Sequence, residues 1–391
     1  MTERKRNHLT TIILVAGGIL AAVLITAAFF PVLPAQATAA PAAVPASPEL
    51  AADALPDSAC LGCHGKAGMV TTLPDGEKLS ISIDGELYKE TVHGNYGLAC
   101  TACHASITSF PHTALTVETH KEFSFEATES CQKCHADQYS AVQDSIHMKA
   151  HNDGNVMAPA CTDCHNPHTQ THLVDENGTT LNEARVNIPI TCSKCHAEIT
   201  EQYKNSVHGS SLLEEGNTDT PTCIDCHSVH NVGEVDNAFH LRSPQICSEC
   251  HSNKELMDKY GLSSQVNNTY VADFHGTTVT IFEKTAPDQV TNTPVCIDCH
   301  GVHNMTRSED PNNGLHVKAN LLRTCQKCHP DANENFPDSW MSHYQASPET
   351  APLVFYVNLF YKILIPVVIG GMILYILSDI IRRLIEKRKG A

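Results

Sequence analysis

The eighteen cysteines of this 391-residue chain fall into nine copies of Cys-x-x-Cys-His, with none left over. The pairs are Cys60 and Cys63, Cys100 and Cys103, Cys131 and Cys134, Cys161 and Cys164, Cys192 and Cys195, Cys223 and Cys226, Cys247 and Cys250, Cys296 and Cys299, and Cys325 and Cys328. The histidines that close them are His64, His104, His135, His165, His196, His227, His251, His300 and His329. Paired cysteines alone would suit zinc or disulfides. Neither calls for a histidine directly after every pair. Haem attachment does: two thiols form thioethers to the vinyl groups, and the adjacent histidine lies under the iron as its proximal ligand. The spacing therefore predicts nine c-type haems. It leaves no cysteine for a disulfide, a reactive thiol or a tenth haem.

Successive motifs begin 40, 31, 30, 31, 31, 24, 49 and 29 residues apart, a repeat near 31. The unit is two motifs long, clearest from Cys131 and from Cys192, looser from Cys247 to His303, and halved at the end, where it stops at His343. Outside the motifs, His8 lies in the N-terminal segment and the other histidines sort by repeat position. One class follows each odd-numbered motif on a short helix: His93, His147, His208, His275 and His343. A second follows an even-numbered motif by three residues, as His168, His230 and His303, with His112 as a displaced member. A third precedes the next motif: His120, His172, His240 and His316, and His151 stands alone. The first two classes together number nine, one distal ligand per iron. A histidine three residues past a proximal one lies beside it on a turn, so it must serve a neighbouring haem. His343, between the ninth motif and the C-terminal apolar run, is expected to serve the ninth. Soluble-region methionines show no repeat-wide position, which argues against Met/His ligation as the rule.

These residues need elements that are short. Aromatics are 6% of the chain, with a single tryptophan, Trp340, and Gly, Pro, Asn, Thr and His are frequent, which describes a thin hydrophobic interior. The expected fold is mainly short α-helices and loops wrapped around nine covalently bound haems in tandem two-haem repeats. A small β-hairpin insert is expected near residues 70–90, where Pro74-Asp75-Gly76 turns between alternating residues.

The ends read differently. Arg4, Lys5 and Arg6 precede an apolar run from Leu9 to Phe30, and Ala35-Gln36-Ala37 resembles a cleavage site. Residues 1–37 are thus expected to be an export signal, or else an uncleaved anchor, and residues 38–57 an Ala/Pro-rich linker. Residues 58–345 hold the nine motifs. Residues 353–378 are predicted to be a transmembrane helix that contacts lipid, and 379–391 a basic cytoplasmic tail under the positive-inside rule. The formal charge of −17 is uneven: residues 1–6 carry +2 and 362–391 carry +4, leaving −23 between them. So acidic an exterior argues against nucleic acid as partner.

The alternation of "SxHG" at Ser206 to Gly209 with "CxDCHxxH" at Cys296 to His303 resembles the periplasmic multihaem cytochromes c of anaerobic respiration. The segment from Ser347 to Arg383 is similar to the anchor of multihaem cytochromes paired with a membrane cytochrome b. The resemblance implies a membrane-anchored nonahaem cytochrome that relays electrons, with its haem domain on the periplasmic side. Its expected partners are a membrane cytochrome b or other quinone-linked subunit and a periplasmic or extracellular redox partner. The competing expectation is a multihaem reductase or oxidase of small nitrogen or sulfur compounds, which needs one open haem site.

Overall fold

The computed structural model describes residues 55–113, 116–340, 343 and 345–389. The expected export segment and most of the linker lie outside these residues. Within them the chain is mostly helical, in short pieces, as expected. The first unit has α1 (Asp57–His64), a hairpin of β1 (Val70–Thr72) and β2 (Lys78–Ser80), and then α2 (Gly85–Glu90), α3 (Val92–Asn95) and α4 (Cys100–Cys103). The strands pair antiparallel with Thr71 opposite Leu79. Their turn is the Pro74-Asp75-Gly76 segment, where Gly76 takes φ 90°, a conformation that costs glycine little.

The second repeat contains α5 (His120–Gln132), α6 (Ala136–Gln143), α7 (Ile146–Asn152) and α8 (Cys161–Cys164). The third contains α9 (Asn182–Ser193), α10 (Ala197–Lys204), α11 (Val207–Leu213) and α12 (Cys223–His227). The fourth contains α13 (Asn237–His251), α14 (Lys254–Lys259), α15 (Val266–Ala272), α16 (Phe274–Thr285) and α17 (Cys296–His300). Its extra helix accounts for the long 49-residue spacing. The closing half-repeat has α18 (Lys318–Gln326) and a 3-10 turn (Phe336–Ser339). In the second to fourth repeats the even-motif helix packs on the helix that carries the odd motif.

Two devices place the "SxHG" histidines. The first is an N-cap: Thr91, Ser145 and Ser206 accept the backbone N–H of Gly94, Met148 and Gly209 respectively, and all three are buried. The second is a close helix crossing. A Cβ on Gly94, Gly209 or Gly276 would run into the carbonyl oxygen of Tyr88, Tyr203 or Tyr270, six residues earlier. Those tyrosines are fixed at the other end, their hydroxyls donating to the carbonyls of Leu98, Pro221 and Pro294 just before the even motifs. Burial pushes the Tyr88 phenol up to about 12, so it stays protonated and able to donate. The second repeat solves the crossing differently, with Val142 in place of the tyrosine and a buried Met148 in place of the glycine. Gly209→Ala is expected to destabilise the chain by about 1–3 kcal/mol, since the crossing partner is backbone and cannot rotate away. A denaturant melt of the variant checks this.

Successive repeats are tied by backbone. The N–H groups of Val92, Ile146 and Val207 donate to the carbonyls of Gln170, Val232 and Met305, each in the following repeat, at 2.9, 2.8 and 2.9 Å. The apolar interior is thin. Among the described residues buried apolar side chains such as Leu73, Leu212 and Met257 are scattered, and the one cluster is Leu241, Val279 and Val295 in the fourth repeat. A chain this long cannot be held by so small a core.

The C-terminal helix α19 (Pro352–Lys389) is 38 residues, with a mean hydropathy of 2.3 over its most apolar window, and is long and apolar enough to cross a membrane. It runs past the expected end near residue 378 and absorbs most of the expected basic tail. Arg382 and Arg383 both pair with Asp379 at 2.9 and 2.7 Å, i to i+3 and i+4 on one helical face. At 1.5 Å per residue it is about 57 Å long against an apolar bilayer core of about 30 Å, so its polar end projects beyond that core.

Candidate metal centres: nine histidine pairs

Each motif histidine faces one histidine of the first two classes. His64 lies opposite His112 with ring centroids 6.0 Å apart, His104 opposite His168 at 6.1 Å, and His135 opposite His93 at 6.2 Å. His165 faces His230 at 6.2 Å, His196 faces His147 at 6.3 Å, and His227 faces His303 at 6.1 Å. His251 faces His208 at 6.3 Å, His300 faces His343 at 6.2 Å, and His329 faces His275 at 6.4 Å. Rings in van der Waals stacking sit closer; Phe125 and His151 lie 3.8 Å apart. Two metal–nitrogen bonds of about 2 Å, each extended by roughly 1.1 Å from nitrogen to ring centre, put two axial imidazoles about 6.2 Å apart. All nine separations fall there.

The pairing follows a rule across repeats. A histidine after an odd motif faces the next odd motif: His93 faces the third, His147 the fifth, His208 the seventh and His275 the ninth. One after an even motif faces the previous even motif: His168 faces the second, His230 the fourth and His303 the sixth. The ends close the two rows. His112 has no earlier even motif and faces the first motif. His343 has no eleventh motif and faces the eighth, not the ninth as its sequence position suggests; His275 already holds the place opposite His329.

In three of these rings the second nitrogen has a backbone carbonyl partner that sets the orientation. Nδ1 of His64 lies 2.8 Å from the carbonyl oxygen of Ile81, that of His112 2.8 Å from Thr113, and that of His93 3.2 Å from Pro167. A carbonyl only accepts, so Nδ1 carries the proton and Nε2 keeps its lone pair. Burial lowers the pKa of most paired histidines. His208 and His300 are pushed down to about 4, by burial first and then by the facing histidine. Neutral imidazole is the form that binds a metal.

The motifs neighbour one another in chain order. The leading thiols of the two motifs in each repeat are within electrostatic reach of each other: Cys60 with Cys100, Cys131 with Cys161, Cys192 with Cys223 and Cys247 with Cys296. The trailing thiol of each even motif is within electrostatic reach of the next odd motif, as Cys103 with Cys134 and Cys299 with Cys325. All eighteen thiols are free of disulfides.

The remaining histidines have other partners. His120 pairs with Glu77 at 3.6 Å, His240 with Asp298 at 3.0 Å and His316 with Glu309 at 3.5 Å. His172 is exposed. His151 stacks on Phe125, and its Nδ1 is buried without a hydrogen-bond partner.

One structural signal went unread in the sequence: the Asp of "CxDC" in the even motifs. Asp163, Asp225 and Asp298 accept the backbone N–H of Ala160, Thr222 and Val295 at 2.6, 2.6 and 2.7 Å. Each also takes a cationic or imidazole partner from the preceding odd-motif helix, namely Lys121, Arg185 and His240. In the first unit Ala102 stands at that position, and Asp57 from α1 accepts the Cys100 N–H instead, at 2.9 Å. No family model matches the chain, and no curated protein or solved structure is significantly similar to it.

Proposed function

We propose that the chain is a membrane-anchored multihaem c-type cytochrome. In this reading it relays electrons between the quinone pool, through a membrane partner, and a periplasmic or extracellular redox partner. The observation that carries it is the set of nine facing histidine pairs, each built from one Cys-x-x-Cys-His histidine and one partner at axial-ligand separation. Among the described residues no three His, Cys, Asp or Glu side chains converge as a metal site. Each pair offers two ligands only, which suits a metal whose other four positions are filled by a porphyrin. The paired cysteines beside every pair suit its covalent attachment.

Bound in this row, haem supplies a one-electron couple at each pair and a route for tunnelling from one to the next. The chain's own contribution is positional. Hydroxyl and carboxylate caps fix the ligand helices, the Nδ1 partners fix ring orientation, and the backbone ties between repeats fix the spacing of neighbours. The reductase or oxidase reading needs a motif histidine with no partner opposite; all nine have one, which favours electron relay. The α19 helix supports membrane attachment, and its basic end supports a cytoplasmic C-terminus.

The test is stoichiometry and spin state in the full chain purified from membranes. The expected result is covalent haem that survives denaturation, nine per chain by pyridine haemochrome, with ferric iron almost wholly low-spin by electron paramagnetic resonance. A fully matured chain with eight or fewer, or a large high-spin fraction with rapid nitrite or hydroxylamine turnover, overturns it.

A further inference from the structure

In the first four repeats the histidine that reaches forward stands just inside a helix whose N-cap lies two residues earlier. The cap is Thr91, Ser145 and Ser206 in the first three, each neutral and buried. In the fourth it is Asp273. Ser and Thr cap a helix about as well as Asp does, so the helix itself does not require the carboxylate. Its two oxygens have separate partners. Oδ1 accepts the backbone N–H of His275 at 2.7 Å and lies 3.7 Å from His275 Nδ1. Oδ2 accepts the indole N–H of Trp340 at 3.0 Å. The Trp340 ring meets His343 edge-on with centroids 5.8 Å apart.

Asp273 thus lies beside the second nitrogen of the histidine opposite the ninth motif. Through Trp340 it also borders the histidine opposite the eighth. Its charge reaches His343 directly, opposing the lowering that burial imposes there. The equivalent histidine of the first repeat, His93, has a neutral acceptor in that role, the carbonyl of Pro167.

We infer that Asp273 is a positioning residue that lowers the reduction potential of the ninth haem below those of the third, fifth and seventh, with Trp340 holding the carboxylate in place. This rests on the haem reading above. A carboxylate 3.7 Å from Nδ1 places a negative charge beside the ring and the iron it would hold. A nearby negative charge favours ferric over ferrous iron. The uncharged caps before His93, His147 and His208 leave the third, fifth and seventh haems without that bias.

The experiment compares the full-length protein with Asp273→Ser and Asp273→Asn by potentiometry and by electron paramagnetic resonance. Both substitutes are good N-caps, so a role in capping alone predicts that both are silent. The expected result is nine haems in each variant, with the low-spin signal of the eighth haem displaced slightly and that of the ninth displaced more, alike in both. The reduced-to-oxidised ratio of the ninth haem at fixed potential should rise by about tenfold, which is about 59 mV for a one-electron couple. Trp340→Phe, which keeps the ring and removes the N–H, should move the same haem in the same direction by less. If both Asp273 variants keep nine haems and reproduce the wild-type potentials, the inference fails and the haem reading stands. Loss of haem from the variants alone marks a structural role and also overturns it. A wild-type chain without haem overturns the underlying reading and this inference with it.

Discussion

His343→Ala is expected to leave one iron in nine with a single histidine, and that iron is the eighth. His343 and His300 face each other with centroids 6.2 Å apart and ring planes 23° apart. The ninth motif is provided for by His275, opposite His329. Thioether attachment does not use the distal ligand, so covalent haem content should stay at nine. About one ninth of the ferric iron should turn high-spin, and added imidazole should return it to low-spin. Quinol-driven reduction should slow if the C-terminal end receives electrons from the membrane side, because His343 lies nine residues before α19. The paired variant His275→Ala should open the ninth iron and spare the eighth. A low-spin count unchanged in His343→Ala removes this histidine from the ligand set. His316 would not replace it, since that ring is turned to Glu309 at 3.5 Å.

The histidine classes were legible because each travels with its own local signal. His208 sits in Ser206-Val207-His208-Gly209, where Ser206 must cap and Gly209 must let the Tyr203 carbonyl pass. His303 follows His300 by three residues and is turned away from its own motif by the same geometry that makes it useful to another. Which motif each histidine serves was not legible. The partner lies in the neighbouring repeat, and spacing along the chain says nothing about whether that neighbour precedes or follows. His343 shows the consequence. Proximity in sequence points to the ninth motif, but the forward donor of the previous repeat, His275, is already there. The hairpin was legible because Pro74-Asp75-Gly76 dictates a turn locally. The length of α19 was not, because charge marks a membrane boundary and does not end a helix. Arg382 to Lys389 are good helix formers with no glycine or proline before Gly390, so the helix runs on. The acid partners of His240 and His316 come from chain segments brought together only by folding or by an irregular loop, and no spacing rule anticipates them.

The crosswise pairing makes a strong demand on how this chain can be shortened. Removing residues 131–191, one whole two-motif unit, deletes His147 and His168 together with the third and fourth motifs. Cys192 then follows Cys100 by 31 residues, the spacing that Cys131 now has. His93 meets the fifth motif where His147 stood, and His230 meets the second where His168 stood. The supporting contacts have successors too. Lys121 reaches Asp225 in the place of Arg185, and the Val92 N–H reaches the Val232 carbonyl in the place of Ile146. The expected product binds seven haems, all low-spin. Removing only residues 161–191 takes out one motif and breaks the alternation. His104 loses His168, and His230 loses His165, so eight haems should remain with about one eighth of the iron high-spin. If ligands were instead shared within each repeat, His168 would serve the third motif, so the one-motif deletion would open the third iron and leave the second with its partner. Identifying the high-spin iron of the one-motif deletion, the second at His104 or the third at His135, therefore separates pairing across repeats from pairing within them. A seven-haem chain with two or more high-spin irons would show that the forward and backward donors cannot exchange partners between repeats.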